Sequence, residues 1–581
     1  MILLNPKKHT RAYPDERSRE IMLATLAFFE GKGRAQLKHD DHERVWYQDF
    51  IDFQKEHQIF ATLLTPSEFA GDNADGRWDT FRNCEFSEIL GFYGLAYWYT
   101  WQVTILGLGP IWISDNDEVK KRTAKLLEEG GIFGFGLSER EHGADIYSTG
   151  MRLTEQDDGS YRANGRKYYI GNGNKASLLS TIGKVLEPGE EETDKYERFA
   201  FFAVDPSRDG YECVQNVVNS QSYVAEYALT DYTVQASEVL ATGRDAWDMA
   251  LNTVNIGKYN LGWASIGMCT HAFYEAINHA SHRELYGKFV TDFPHVKQLF
   301  VDAYARLVAM KVFALRASDY IRSASADDRR YLLFTPMVKM KVTTQGEDVI
   351  NHLWDVIAAK GFEKDGYFEM AARDIRALPK LEGTVHVNMA LIIKFMKNYF
   401  FMPGEFPEVG HINAPQNDDF LFAQGPTKGL GRITFHDYNI AYKSCDLPNV
   451  AVMKEQIAVY KGFLMSSAAD MKTAAEQGKD IGYLLALGEI FTLVAYGQLI
   501  IEYKNLHPGV LSDEEVDMIF DVLVRDFSHY ALTLHSKASS TPTQMEACLQ
   551  MIRKPVTTPE TYEKVWNEHV KTLADQYAMN E

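Results

Sequence analysis

The chain has 581 residues, 45% of them hydrophobic and 24% charged, and a net charge of −20. That length allows several domains, each with its own core, in an ordinary globular composition. The charge argues against nucleic-acid binding as a main task and against adsorption on anionic lipid, since both need basic surface.

Residues 15 to 130 carry apolar residues at helical spacing in Ser18–Glu30, Asp41–Gln58 and Arg82–Leu106. Asp115 and Asn116 are candidate caps for a further helix through Leu127, which Gly130-Gly131 stops. From Ile132 to about Leu240 short runs alternate with turn signals, predicting a β domain. Helical periodicity returns from Ala246 to Tyr399 as about four long segments. Residues 403–447 are rich in Pro, Gly and Asn and read as a linker or extended loop, and 448–581 as an additional helical domain. The predicted divisions are therefore 1–131, 132–241, 242–402, 403–447 and 448–581.

Ile481–Ile501 is apolar over about one bilayer thickness, but Glu489 and Gln498 interrupt it. A buried bundle helix is the preferred reading over membrane contact, so no membrane span is expected. The five cysteines lie far apart with no Cys-x-x-Cys pair, which predicts reduced thiols and a cytoplasmic compartment. The four apolar residues at the N-terminus are too few for a signal-peptide core.

Glu382 is the most informative candidate. It follows Leu381, precedes Gly383 and opens the apolar stretch Val385 to Phe400. A carboxyl group held against apolar walls has a raised pKa and serves as a base near neutrality. Gly107 and Gly109 do not form a dinucleotide fingerprint, because Trp112 stands where a third glycine belongs. His279 and His282, with Glu275 one turn back, read as helix-surface residues, since no further zinc ligand accompanies them. Gly425–Arg432 misses the Walker spacing and reads as a plain loop.

Three further pieces give Glu382 its context: Phe135-Gly136-Leu137-Ser138 through Asp145, Asn164 through Ala176, and Arg283 through Lys288. In this order and with these gaps the chain, over roughly residues 15 to 402, resembles the acyl-CoA dehydrogenase and oxidase superfamily. The resemblance implies a mainly α fold with a central β domain. Its parts would be a helical N-domain, a β-barrel-like middle domain and a four-helix bundle, here followed by the C-terminal helical addition of the larger members.

It also implies FAD as cofactor, acyl-CoA as substrate, Glu382 as the base that removes the α-proton, and a trans-2-enoyl-CoA product of fatty acid β-oxidation. Phe135, Leu137 and Ser138 would run along the flavin, with Gly143 and Ala144 close to the pyrophosphate and Ala144 also close to the substrate. Tyr169 stands where many relatives have tryptophan, and Gly171 where they have a threonine whose hydroxyl meets the flavin. Arg283 and Tyr286 would reach the cofactor of a second copy in a homodimer, and Thr384 and His386 would touch it after the base. Lys258, Leu381 and Gly383 would face substrate.

Some relatives carry the base near Asn255–Lys258 instead, but there is no carboxylate between Met249 and Tyr274. Asp355, Ala358 and Ala359 replace a glutamine and a glycine pair that serve the adenosine half. The run Tyr97–Gln102, with four aromatics, either lines the deep end of the acyl pocket or faces the core.

Three readings follow. The chain is a dehydrogenase feeding an electron-transferring flavoprotein, an oxidase using O₂, or a non-enzymatic flavoprotein of the same fold. The DNA-binding branch is disfavoured, because residues 441–581 hold 12 basic against 19 acidic side chains.

Overall fold

The structure is a computed structural model that describes residues 2–9, 11–186, 196–469 and 471–581. Six helices open the chain: α1 (Glu16–Glu43), α2 (Gln48–Glu56), α3 (Ile59–Leu64), α4 (Thr80–Tyr93), α5 (Leu95–Ile113) and α6 (Asp117–Glu128). Of the two cap candidates for α6, Asn116 does the work, its side chain accepting from the Val119 amide at 3.1 Å. Gly94 separates α4 from α5 with a fully extended residue inside what reads in sequence as one helix.

Eight strands follow: β1 (Phe133–Gly136), β2 (Arg152–Glu155), β3 (Tyr161–Gly171), β4 (Leu178–Val185), β5 (Phe199–Val204), β6 (Tyr211–Asn216), β7 (Val224–Val234) and β8 (Val239–Thr242). They form one sheet in the order β6-β7-β3-β2-β4-β5-β8, with β1 parallel to β4. Helix α5 presses on β1 without intervening side chains. A Cβ at Gly107 would stand 2.7 Å from the backbone of Gly134, which gives the glycines of α5 a packing role.

The second helical block has three long rods where the sequence reads about four. They are α7 (Gly243–His282), α8 (Pro294–Arg322), and a continuous rod made of α9 (Tyr331–Met337), a π turn (Val338–Val342) and α10 (Thr343–Ile357). A two-stranded hairpin, Glu284–Leu285 with Lys288–Phe289, joins α7 to α8. The rest of the predicted fourth segment breaks into α11 (Tyr367–Asp374), α12 (Val385–Ile392) and α13 (Met396–Phe401). The break between α11 and α12 is where Glu382 lies.

Residues 403–447 do more than link. They contain α14 (Asn439–Lys443) and run back across the molecule. Asp418 accepts from the Thr80 amide at 2.7 Å, Gln416 donates to Asp79, and Gln424 donates to the Asn252 carbonyl. The Gly425–Arg432 loop is tied down by Thr427, which donates to Asp248.

The last block comprises α15 (Pro448–Ala469), α16 (Met471–Gln477), α17 (Ile481–Leu506), α18 (Asp513–His535), α19 (Pro542–Met551) and α20 (Pro559–Val565). Helix α17 is long and apolar enough to cross a membrane, yet it lies buried against α8 and α18. Its polar interruptions are partnered inside the fold: Glu489 meets Lys341 at 3.3 Å, and Gln498 accepts from the Tyr399 hydroxyl. Gly488 gives α12 close access, since a Cβ there would clash with Met389. Bidentate Arg306–Asp526 and Arg525–Asp302 pairs fix α18 to α8.

Candidate active site

Glu382 sits in a short loop whose backbone turns left-handed twice, at Glu382 (φ 52°) and Gly383 (φ 85°). Glycine takes this conformation freely; a glutamate does so only where its surroundings over-determine it. The loop ends at Thr384, which caps α12 by accepting from the Val387 amide.

The turn aims the carboxyl group inward. Gln102 of α5 donates to Glu382 Oε1 and also, at 3.0 Å, to the Gly257 carbonyl of α7. Among the described residues Glu382 Oε2 is buried without a hydrogen-bond partner, as is Gln102 Oε1. Gly257 leaves the room: a Cβ there would stand 3.1 Å from Glu382 Oε2 and 2.8 Å from Gln102 Nε2 and from Leu106. The segment where some relatives carry their base and the loop that carries Glu382 here therefore converge in space.

Burial raises the Glu382 pKa to about 7, against the pull of the Gln102 hydrogen bond and the charges of Lys339 and Lys258. The same burial pushes Lys258 down to about 8 and Lys339 down to about 7, with Glu382 opposing both shifts. Tyr99 is raised by burial and then by the charge of Glu382. One carboxyl, two ammonium groups and one phenol thus share an environment with little water. The carboxyl and the two ammonium groups have pKa values suited to proton transfer near neutrality, whereas the phenol is held protonated.

The aromatic run on α5 divides between its two predicted roles. Tyr97, Trp98 and Trp101 are fully buried in the helical core, Trp101 donating to Ser87 at 3.0 Å. Tyr99 and Gln102 face the base. Tyr99 also fills the space beside Gly171, where a Cβ would lie 2.7 Å from the ring and 2.9 Å from its hydroxyl. A threonine cannot stand there, and a phenol hydroxyl occupies the neighbourhood instead.

The β-domain residues form the other wall. A bulge in the β3–β7 pairing between Lys167 and Ile170 gives Tyr169 a φ of 65° and leaves it 57% exposed. Phe135 is buried against Phe201, and Leu137 is half-buried. Ser138 donates to the Tyr168 carbonyl at 2.7 Å, so its proton is committed within the chain and only its lone pairs remain for a ligand. Gly143 and Ala144 are exposed, and a Cβ at Gly143 would touch nothing.

The loop that carries Gly143 and Ala144 is pinned at its ends. Lys167 donates to the Leu137 carbonyl, to Glu139 at 2.9 Å and to Thr149, while Glu139 accepts from the Gly150 and Met151 amides. An exposed aromatic face, an uncovered glycine loop and two unpartnered buried oxygens fit the flavin that the resemblance implies.

Thr384 and His386 are exposed at the start of α12, Leu381 is half-buried, and Lys258 is buried on α7. Arg283 and Tyr286 lie apart, on a cleft of 680 Å³ that also includes Asp355, Ala358 and Ala359. Both sets that the resemblance assigns to a neighbouring copy's cofactor thus share one surface. Ala358 there holds a φ of 53°, a backbone conformation that favours glycine. Lys339 went unnoticed in the sequence. The available signal was a pair of lysines, at 339 and 341, inside an apolar helical run.

Residues 245–397 match the family model of the acyl-CoA dehydrogenase C-terminal domain. The short-chain-specific acyl-CoA dehydrogenase of Megasphaera elsdenii is 21% identical over 375 residues, 62% of this chain and 93% of its own. The mitochondrial very long-chain specific enzyme of Rattus norvegicus is 22% identical over 378 residues, 63% of this chain and 55% of its own. Among solved structures, an acyl-CoA dehydrogenase complexed with FAD from Bacillus anthracis aligns over 98% of this chain and 97% of its own, with TM-score 0.73 and 16% identity. The butyryl-CoA dehydrogenase of Megasphaera elsdenii aligns over 66% of this chain and 98% of its own, with TM-score 0.58 and 19% identity. Residues 245–397 thus match the acyl-CoA dehydrogenase C-terminal domain, and the chain, its C-terminal helical addition included, shares its fold with the Bacillus anthracis enzyme.

Proposed function

We propose that the protein is an FAD-dependent oxidoreductase that dehydrogenates an acyl-CoA thioester between its α and β carbons. The observation that carries this reading is the buried, unpartnered Oε2 of Glu382, whose pKa lies at about 7. Glu382 takes the α-proton through that oxygen. Gln102 holds the other oxygen, which fixes the direction of the free lone pairs. Lys258 and Lys339 favour the ionised form, so the base is available near neutrality without bulk water. Tyr99, Leu106 and Leu381 close the apolar side of the site, and the backbone N–H of Glu382 polarises the thioester carbonyl. Bound FAD supplies the hydride acceptor that no side chain can provide.

Electrons then leave to a flavoprotein partner of the electron-transferring kind. A second copy of the chain completes the cofactor site through Arg283 and Tyr286. The five free thiols accord with a cytoplasmic location. The test is anaerobic titration of the FAD-loaded protein with acyl-CoAs of graded chain length. Loss of flavin absorbance with formation of enoyl-CoA is expected, followed by slow reoxidation in air. Fast reoxidation identifies an oxidase, and no absorbance loss with any acyl-CoA refutes the reading.

A further inference from the structure

Lys339 is fully buried on the π turn Val338–Val342, and its ammonium group forms no ion pair among the described residues. It donates instead to two carbonyls that bracket the base: Pro379 O at 2.7 Å and Gly383 O. Asn388 of α12 adds a donor to Gly383 O at 3.1 Å and one to Thr384 O at 3.0 Å. Between these anchors lie the two left-handed residues, Glu382 and Gly383.

The turn that carries Lys339 is anchored in the opposite direction. Lys341 reaches Glu489 of α17 and Tyr530 of α18, both at 3.3 Å. Residues two apart on an α-helix do not share a face, and a π turn is a known device for re-aiming side chains at functional sites. The added C-terminal helices thus brace the turn from behind, while Lys339 holds the loop in front.

We infer that Lys339 is a positioning residue for the reaction: its two hydrogen bonds hold the Pro379–Gly383 loop in the turn that aims the Glu382 carboxyl at the site. The inference rests on Glu382 being the base. The charged groups facing Lys339 are Glu382, Lys258 and Lys380, and Tyr99 faces Glu382 from α5. A merely structural Lys339 would affect stability alone. A positioning Lys339 also changes the base's reach and its titration.

The test compares wild type, Lys339→Met and Glu382→Gln, each loaded with FAD. Lys339→Met is expected to keep its flavin and its KM, and to lose about 100-fold in the rate of flavin bleaching by acyl-CoA. The acid-side limb, where the rate rises as Glu382 ionises, moves to higher pH, since a cation that favours the carboxylate is gone. Amide hydrogen exchange at Glu382–Thr384, measured without substrate, accelerates. Should the methionine variant fail to fold, Lys339→Gln, which keeps one donor, is read in the same way. Bleaching rate, pH limb and exchange all equal to wild type overturn the inference. If Glu382→Gln bleaches like wild type, the base assignment has failed instead, and the exchange measurement still reports on the clamp.

Discussion

The pH dependence of flavin bleaching is set by the surroundings of Glu382. With a pKa of about 7, roughly a tenth of the carboxyl is ionised at about pH 6 and roughly nine-tenths at about pH 8. The bleaching rate at limiting substrate therefore rises about tenfold over that interval, because only the carboxylate takes a proton. A solvated glutamate, with its pKa near 4.3, would give a flat profile there. Stability carries the opposite sign. A carboxyl whose folded pKa exceeds its unfolded value contributes fully below about pH 4.5, and that contribution is lost as pH rises through about 7. Raising the carboxyl from its ordinary value to about 7 corresponds to roughly 3 kcal/mol. Glu382→Gln, which cannot ionise, should gain up to that amount over wild type above about pH 8, less what Lys258 and Lys339 lose with their counter-charge. Stopped-flow bleaching and urea unfolding at matched pH values read both effects. A profile flat from pH 6 to 8, with no alkaline stabilisation in the variant, refutes the argument.

Gly257→Ala places a methyl group 3.1 Å from Glu382 Oε2 and 2.8 Å from Gln102, so bleaching should slow by about 100-fold while FAD stays bound. Gly171→Thr collides with the Tyr99 ring and, at the same distance, with Val103, and should cost about 1–3 kcal/mol in urea unfolding, with the Tyr99→Ala, Gly171→Thr double variant departing from additivity by the Tyr99 share of that clash. Ala358→Gly relieves a left-handed alanine (φ 53°) and should stabilise the fold by about 1 kcal/mol in the same assay. Equal stabilities for either comparison would contradict the local geometry on which it rests.

The parts of the site visible in the sequence are those tied to chain order. Glu382 between an apolar residue and a glycine, the Phe135–Ser138 run and the glycine loop at 143 need only local spacing to be noticed. What the sequence hid depends on approach in space. Gln102 lies 280 positions before the carboxylate to which it donates, and its local pattern is that of a buried helix. Tyr99 belongs to an aromatic run whose other members are core, and only the helix's orientation separates them. Lys339 was obscured because a π turn breaks the 3.6-residue periodicity by which its face would be assigned. The segment 403–447 looks like a linker by composition, yet its contacts with α4 and α7 involve partners more than 170 positions away.

Glu382→Gln tests the central claim most directly. The variant keeps the shape of the side chain and removes its basicity. Loaded with FAD and mixed anaerobically with the acyl-CoA that bleaches wild type fastest, it should stay yellow while still binding the thioester. Bleaching at the wild-type rate would contradict the account.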